Sequence, residues 1–217
     1  MRQFGAKGVD DYFGQAYALT GQGRLRWLIV EGDSTDDTAD RLTHYALNDS
    51  RIRPVKCTTG KPKFGSVVSA ERFAHLATVF NSGLASVDLG WSDYVMFIPG
   101  DVIYQPDLCD RLIGWAKDLI APMFWAAEGN HGRFYDIWGF RRNGQPFPPH
   151  APAWYDANLP AEPVEMDTVG GCIMMRKEVI EAGCRYTAEE VDHGLCKMAQ
   201  ERGFSVWCDP TTHIDHI

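Results

Sequence analysis

Carboxylates close two of the apolar, β-rich runs in this chain. The stretch "LIVEGDSTDDTADRL" (Leu28–Leu42) passes from a buried-type run directly into five acids. Ser34 is a good helix N-cap, and Asp37 three residues on makes a capping-box-like pair, so helix initiation accounts for Ser34 through Asp37. It does not account for Glu31, at the strand end, where a carboxylate can accept hydrogen bonds from a nucleobase N–H. A second run, "DYVMFIPGD", ends in Gly100–Asp101, and Pro106 then opens a helix at its first position. The pair Gly170–Gly171 allows close approach of backbone to a ligand, or else marks a β-bulge. Thr187-Ala-Glu-Glu190 reads as a capping box.

Helical periodicity and caps predict helices over Val9–Leu19, Thr35–Leu47, Ala70–Leu84, Pro106–Leu119 and Ala188–Arg202. Short β-rich runs predict strands at Arg26–Val30, Ile52–Cys57, Tyr94–Ile98, Pro122–Ala126, Thr168–Met174 and Ser205–Cys208. Alternating strands and helices predict an α/β fold with a mostly parallel sheet flanked by helices, in which ligands gather at the carboxyl ends of the strands. Residues 129–165 break this rhythm. They are rich in Pro, Gly, Trp, Tyr and Phe and show neither period, which marks a substrate-facing loop region. Aromatic rings there suit the apolar faces of sugars and bases alike.

The 217 residues suffice for one large domain, and 45% apolar with 23% charged residues is ordinary for a globular protein. The net charge, 21 − 29 = −8, argues against a general duplex-DNA binder. No apolar run approaches the roughly 20 residues that span a bilayer. No secretory leader is evident either, so the expectation is a cytoplasmic protein. Cys172, Cys184, Cys196 and Cys208 recur every twelve residues, yet no close C-x2-C pair is present. Reduced thiols rather than a zinc site are expected.

With these residues in place, the chain resembles family-2-like glycosyltransferases of the GT-A fold. "EGDSTDDT" is similar to their V-D-D-G-S-T-D-G-T element, and to the variant in fungal mannan-polymerase-type and capsule-associated mannosyltransferases. The resemblance implies a nucleotide-sugar donor, UDP- or GDP-linked, held by Glu31, Asp33, Arg72, Asn81 and Gly100. The segment "ERFAHLATVFNSGL" supplies the helix that carries Arg72 and Asn81. "IPGDVIYQPDL" resembles the D-x-D element, whose acids hold Mn2+ or Mg2+ on the nucleotide diphosphate. Pro99 replaces the first aspartate, leaving Asp101, with His216 as second ligand six residues past Pro210. "VEMDTVGGCIMMRKEVIEAG" and "RFYDIWGFRRNG" imply an acceptor side made of Tyr135, Asp136, Trp138, Asp167, Gly170 and Gly171. "YTAEEVDHGLC" resembles the segment that carries the base of inverting relatives. Glu190 takes that position, with Glu189 and Asp192 as its neighbours.

The implied architecture is a single GT-A-type domain over residues 1–217 whose first strand is missing or replaced, since the resemblance begins just after that strand, at Arg2–Gln3. The implied function is metal-dependent glycosyl transfer to an acceptor hydroxyl on a glycan, lipid, protein or modified base. Three alternatives stand beside it. One is a nucleotide-sugar-binding pseudoenzyme, suggested by the lost aspartate. Another is a phage-type enzyme that glycosylates modified bases in DNA, which would need a basic groove. The third is a nucleotidyltransferase, for which "TGKPKFGS" is a poor phosphate loop in the wrong place.

Overall fold

The computed structural model describes residues 1–20, 25–65, 68–126, 134, 136, 138–147 and 159–217. Tyr135, Arg133 and the middle of the aromatic-rich segment lie outside the described residues. In chain order the elements are α1 (Gly5–Ala16), β1 (Trp27–Glu31), α2 (Thr38–Asn48), β2 (Ile52–Lys56), α3 (Ala70–Ala85), β3 (Tyr94–Phe97), β4 (Val102–Ile103) and α4 (Leu108–Gly114). There follow β5 (Leu119–Ala126), β6 (Arg141–Arg142), β7 (Gln145–Pro146), β8 (Val164–Glu165), β9 (Ile173–Arg176), α5 (Lys177–Glu181), α6 (Asp192–Glu201) and β10 (Val206–His216).

The strands form two separate larger sheets and a small hairpin. β1 and β2 make a parallel pair whose buried face packs on α1 and α2 through Val9, Phe13, Trp27, Ile29 and Leu42. The larger sheet has the order β3-β9-β5-β10-β4, with β8 also on β10. Only β5–β10 is parallel within it, and the other pairs are antiparallel, so the expected mostly parallel sheet is in fact mixed. β5 lies inside this sheet and reads as an unbroken apolar run because both its faces are covered. No strand of the described residues pairs with the outer edge of β1 or of β3.

Several boundaries differ from the periodicity: α4 spans Leu108–Gly114 rather than Pro106–Leu119, with Leu119 opening β5, and four others differ for a clear physical reason. α1 begins at Gly5, four residues early, because side chains from another element satisfy its first amides: Asp36 Oδ2 accepts from Gly5, Asp37 Oδ1 from Ala6, and Thr38 Oγ1 from Phe4 and Gly5. Asp36 and Asp37 therefore cap α1, while Asp36 Oδ1 also accepts from the Thr38 amide that opens α2 and the N-cap Asp37 makes no side-chain capping bond. α6 begins at Asp192, not Ala188. Residues Thr187–Val191 instead close a turn through a bridge, with Val191 at φ 47. β9 begins five residues after the expected Thr168, beyond the turn at Gly170–Gly171. β10 runs through Pro210 to His216, with a register shift between Asp209 and His213 that accommodates the proline.

The six cysteines are free, and five of them are buried. No helix of the described residues is long and apolar enough to cross a membrane.

Candidate functional site

One continuous cleft of about 2690 Å3 runs from the outer edges of β1 and β3 to the start of α6. Asp101 and His216 lie on its wall, brought together by backbone register. His216 pairs with Val102 in the β4–β10 ladder, and the Ile217 amide donates to the Asp101 carbonyl at 3.1 Å. Their side chains meet with Asp101 Oδ2 at 3.5 Å from His216 Nε2. That contact holds the half-exposed Asp101 carboxyl below the usual carboxylate range, although partial burial opposes it. Gly100 precedes it because Phe4 covers the strand end: a Cβ there would lie 2.6 Å from Phe4 Cζ.

One carboxylate oxygen and one imidazole nitrogen form a two-donor set, and no group of three metal-ligating side chains occurs among the described residues. Mn2+ and Mg2+ on nucleotide substrates are commonly held by one or two protein ligands, with phosphates and water completing the shell. The set fits such an ion, and the nitrogen favours Mn2+ over the harder Mg2+.

Arg2, Lys63 and Arg72 are among the cations that line the same cleft. Arg2 stands out: its Nε and Nη1 are sealed from solvent without a hydrogen-bond partner among the described residues. Sequence reasoning placed Arg2 at the start of the resemblance without giving it a site role. Other expected donor ligands do internal work and do not line the cleft. Glu31 is buried and accepts from the Ser34 amide at 3.2 Å. Asp33, at φ 60, accepts from the Thr59 amide and hydroxyl and from Gly60, and these bonds lower its pKa. Asn81 is spent on Tyr186, donating to its carbonyl at 2.9 Å and accepting from its amide at 3.0 Å. It pins the backbone just ahead of the Thr187–Val191 turn.

That turn presents Glu189 and Glu190 at the cleft, both exposed. The capping-box reading of Glu190 fails because no helix starts there; Thr187 Oγ1 accepts from the Glu190 amide and closes the turn. Gly194 is required beneath it, since a Cβ would lie 1.9 Å from Thr187 Oγ1. Behind the turn, Asp192 and Asp136 face each other across the glycine pair. Asp192 Oδ2 accepts from the Gly171 amide at 3.4 Å, while its Oδ1 is sealed and unpartnered. Asp136 Oδ1 accepts from Gly139 at 2.8 Å, and a Cβ at Gly170 would lie 2.4 Å from Asp136 Oδ2. Removal from water, together with the negative charge of Asp136, pushes Asp192 up to about 7, and burial raises Asp136 as well.

On the acceptor side, Trp138 is 69% exposed at the rim, and His193 Nε2 donates to its carbonyl at 2.9 Å. Asp136, Trp138 and Gly171 line the cleft, whereas Gly170 sits behind it against Asp136. Asp167 is not at the cleft either: its Oδ2 takes the Gly144 amide and closes the Asn143–Gly144 turn of the β6–β7 hairpin.

No protein-family model matches this sequence, and no curated protein sequence matches it significantly. Solved structures do match its fold. A mannosyltransferase from Pyrobaculum calidifontis in complex with GDP-Man and Mn2+ superposes with a TM-score of 0.61 at 10% identity, over 100% of this chain and 54% of that one. GalNAc-T7 with UDP, GalNAc and Mn2+ gives 0.62 at 11% identity, over 94% of this chain and 40% of that one. S. aureus TarS, residues 1–349 with UDP, gives 0.57 at 8% identity, over 96% and 56%. The chain thus has a GT-A-type α/β fold and spans about half the length of these structures.

Proposed function

We propose that this protein is a metal-dependent glycosyltransferase that moves a sugar from a nucleotide-diphosphate donor to an acceptor hydroxyl. The observation that carries the reading is one cleft of a GT-A-type fold lined by the Asp101–His216 pair, the cations Arg2 and Arg72, and the turn bearing Glu190. The solved relatives in fold were captured with UDP or GDP-Man, two of them with Mn2+, which supports the same donor class here. Resemblance to mannosyltransferase motifs puts GDP-hexoses first among donors to assay.

Arg2 and Arg72 would hold the diphosphate by charge-assisted hydrogen bonds, for which the unsatisfied guanidinium nitrogens of Arg2 are prepared. Asp101 and His216 would hold the divalent ion, which when bound neutralises charge developing on the departing diphosphate. Trp138 offers a face for a sugar or base. In an inverting reaction Glu190 takes the proton of the acceptor hydroxyl as that oxygen bonds to the anomeric carbon and the carbon–phosphate oxygen bond breaks. Asp192 would steady the Gly171 backbone.

A second assignment of the base has its own support. Asp192 borders the cleft, carries one sealed oxygen without a partner, and is raised to about 7, near the operating pH of a general base. Asp101→Ala and Glu190→Gln, assayed for metal-dependent turnover of UDP- and GDP-sugars, test the whole reading, and full activity in both would sink it. A rate that climbs through about pH 7, with that limb lost only in Asp192→Asn, would move the base to Asp192. No donor turnover and no nucleotide-dependent thermal shift would leave the binding-defective fold alone.

A further inference from the structure

Trp138 is 69% exposed at the rim of the cleft, more than any other aromatic side chain of the described residues. Its backbone is not loose. Asp136 Oδ1 accepts from the Gly139 amide at 2.8 Å, and Thr168 Oγ1 donates to the Gly139 carbonyl at 2.7 Å. His193 Nε2 donates to the Trp138 carbonyl at 2.9 Å. Gly139 is required here, since a Cβ would lie 2.3 Å from Asp136 Oδ2. Of these anchors, His193 is the one that comes from the other wall, and its own amide donates to the Glu190 carbonyl at 3.0 Å. A single solvent-facing side-chain bond thus ties the indole to the turn that carries Glu189 and Glu190. An aromatic ring already ordered in water loses little freedom when a ligand stacks on it.

The charges around the ring select what can stack. Asp136, Glu189, Glu190 and Asp192 line this part of the cleft, against the cations Arg141 and His193. Glu189 and Glu190 are exposed. Carboxylates accept hydrogen bonds from sugar hydroxyls, and an indole face offers an apolar plane to the C–H side of a pyranose. The phosphates of a nucleic acid or of a phosphate-linked polymer would meet like charge instead. We propose that this end of the cleft takes an uncharged sugar ring stacked on Trp138, and that His193 is the positioning residue that fixes this platform relative to Glu190. That the ring is the acceptor rests on the glycosyl-transfer reading above, whereas its binding does not.

The test uses the whole protein labelled with 5-fluorotryptophan, in which Trp138→Phe identifies the Trp138 line among the 19F signals of the 7 tryptophans. The probes are methyl α-mannopyranoside, methyl β-glucopyranoside and methyl β-N-acetylglucosaminide, set against glycerol phosphate and a single-stranded oligothymidylate. The Trp138 line should shift saturably with at least one glycoside and with neither phosphate-bearing probe. His193→Ala should weaken that binding about tenfold or more. His193→Gln, which keeps an N–H near the Nε2 position, should restore it to within about threefold. Both variants should melt within about 4 °C of the parent, because the lost bond faces solvent. No shift with any glycoside, or a shift with either phosphate-bearing probe, would overturn the sugar site. Glycoside binding indifferent to His193→Ala, or equally weak in Ala and Gln, would overturn the role of His193. The thermal shift with Mn2+ and UDP or GDP is read in parallel. Its absence beside intact glycoside binding counts against glycosyl transfer and leaves the sugar site, whereas its presence without glycoside binding removes the sugar site alone.

Discussion

Two carboxylate sites lie in the same cleft and ionise in opposite directions. Asp101 is half-exposed beside an imidazole and is held below the usual range, so it stays anionic and available to a cation. Asp192 faces another carboxylate, has one oxygen sealed from water, and is raised to about 7. The side-chain chemistry is the same, and the surroundings divide the work: one site is kept charged, the other keeps a proton within reach of neutral pH. A β-ladder places the first, whereas a turn pinned by Asn81 and a pair of glycines place the second.

The largest expected effect breaks the first site. Asp101→Ala should lower metal-dependent donor turnover by at least about 100-fold, a loss typical of removing a group that stabilises transition-state charge. It should also abolish the Mn2+-dependent thermal shift, while the metal-free melting temperature moves by no more than about 2 °C because the side chain is half-exposed. A metal-free protein that melts far lower would make Asp101 a structural residue instead.

The next effect loosens the mounting of the second site. Asn81→Ala leaves the amide and carbonyl of Tyr186 without their partners. That should cost about 1–3 kcal/mol in chemical denaturation. Turnover should fall while donor affinity is retained, since Asn81 does not line the cleft. A selective loss of nucleotide binding would return Asn81 to the donor site.

Smaller effects concern ionisation. An acid whose folded pKa is raised is protonated more readily in the folded state than in the unfolded one, so stability declines as pH rises from about 4 to about 7 and then levels. Asp192→Asn should flatten that decline, leaving the variant a few degrees more stable than the parent at pH 8 relative to pH 5. An unchanged slope across this window would show that Asp192 does not carry the shift.

The smallest change sharpens the comparison. Asp136→Asn removes a neighbouring charge but leaves burial, the larger cause. The Asp192 midpoint, followed by carboxyl NMR shifts, should move down by less than it was raised. A full return to the ordinary value would make charge, not burial, the dominant cause.

Much of the cleft was legible in the sequence because its carriers are local. Strand ends and a glycine pair lie within a few residues of the groups they position. Asp101, His216, Arg72, Trp138 and Glu190 accordingly fall on one cleft. What failed to read were residues whose partners lie far along the chain. Asp36 and Asp37 looked like caps for the helix that follows them; Asp36 does meet its first amide, yet both also cap α1, some 31 residues earlier. Glu31, Asn81 and Asp167 looked spare and are committed to backbone amides or carbonyls. Arg2, at which the resemblance begins, drew no site role, and two of its guanidinium nitrogens are sealed without a partner among the described residues.

The sequence by itself determined the alternation of strands and helices and the order of the acidic and glycine-bearing turns, since periodicity and turn chemistry act over a few residues. Only the tertiary structure decided which carboxylates face a cation, which face one another, and which are consumed by distant amides. Hydrogen bonding and electrostatics act through space at a few ångströms, and the fold, not the spacing in the chain, sets those distances.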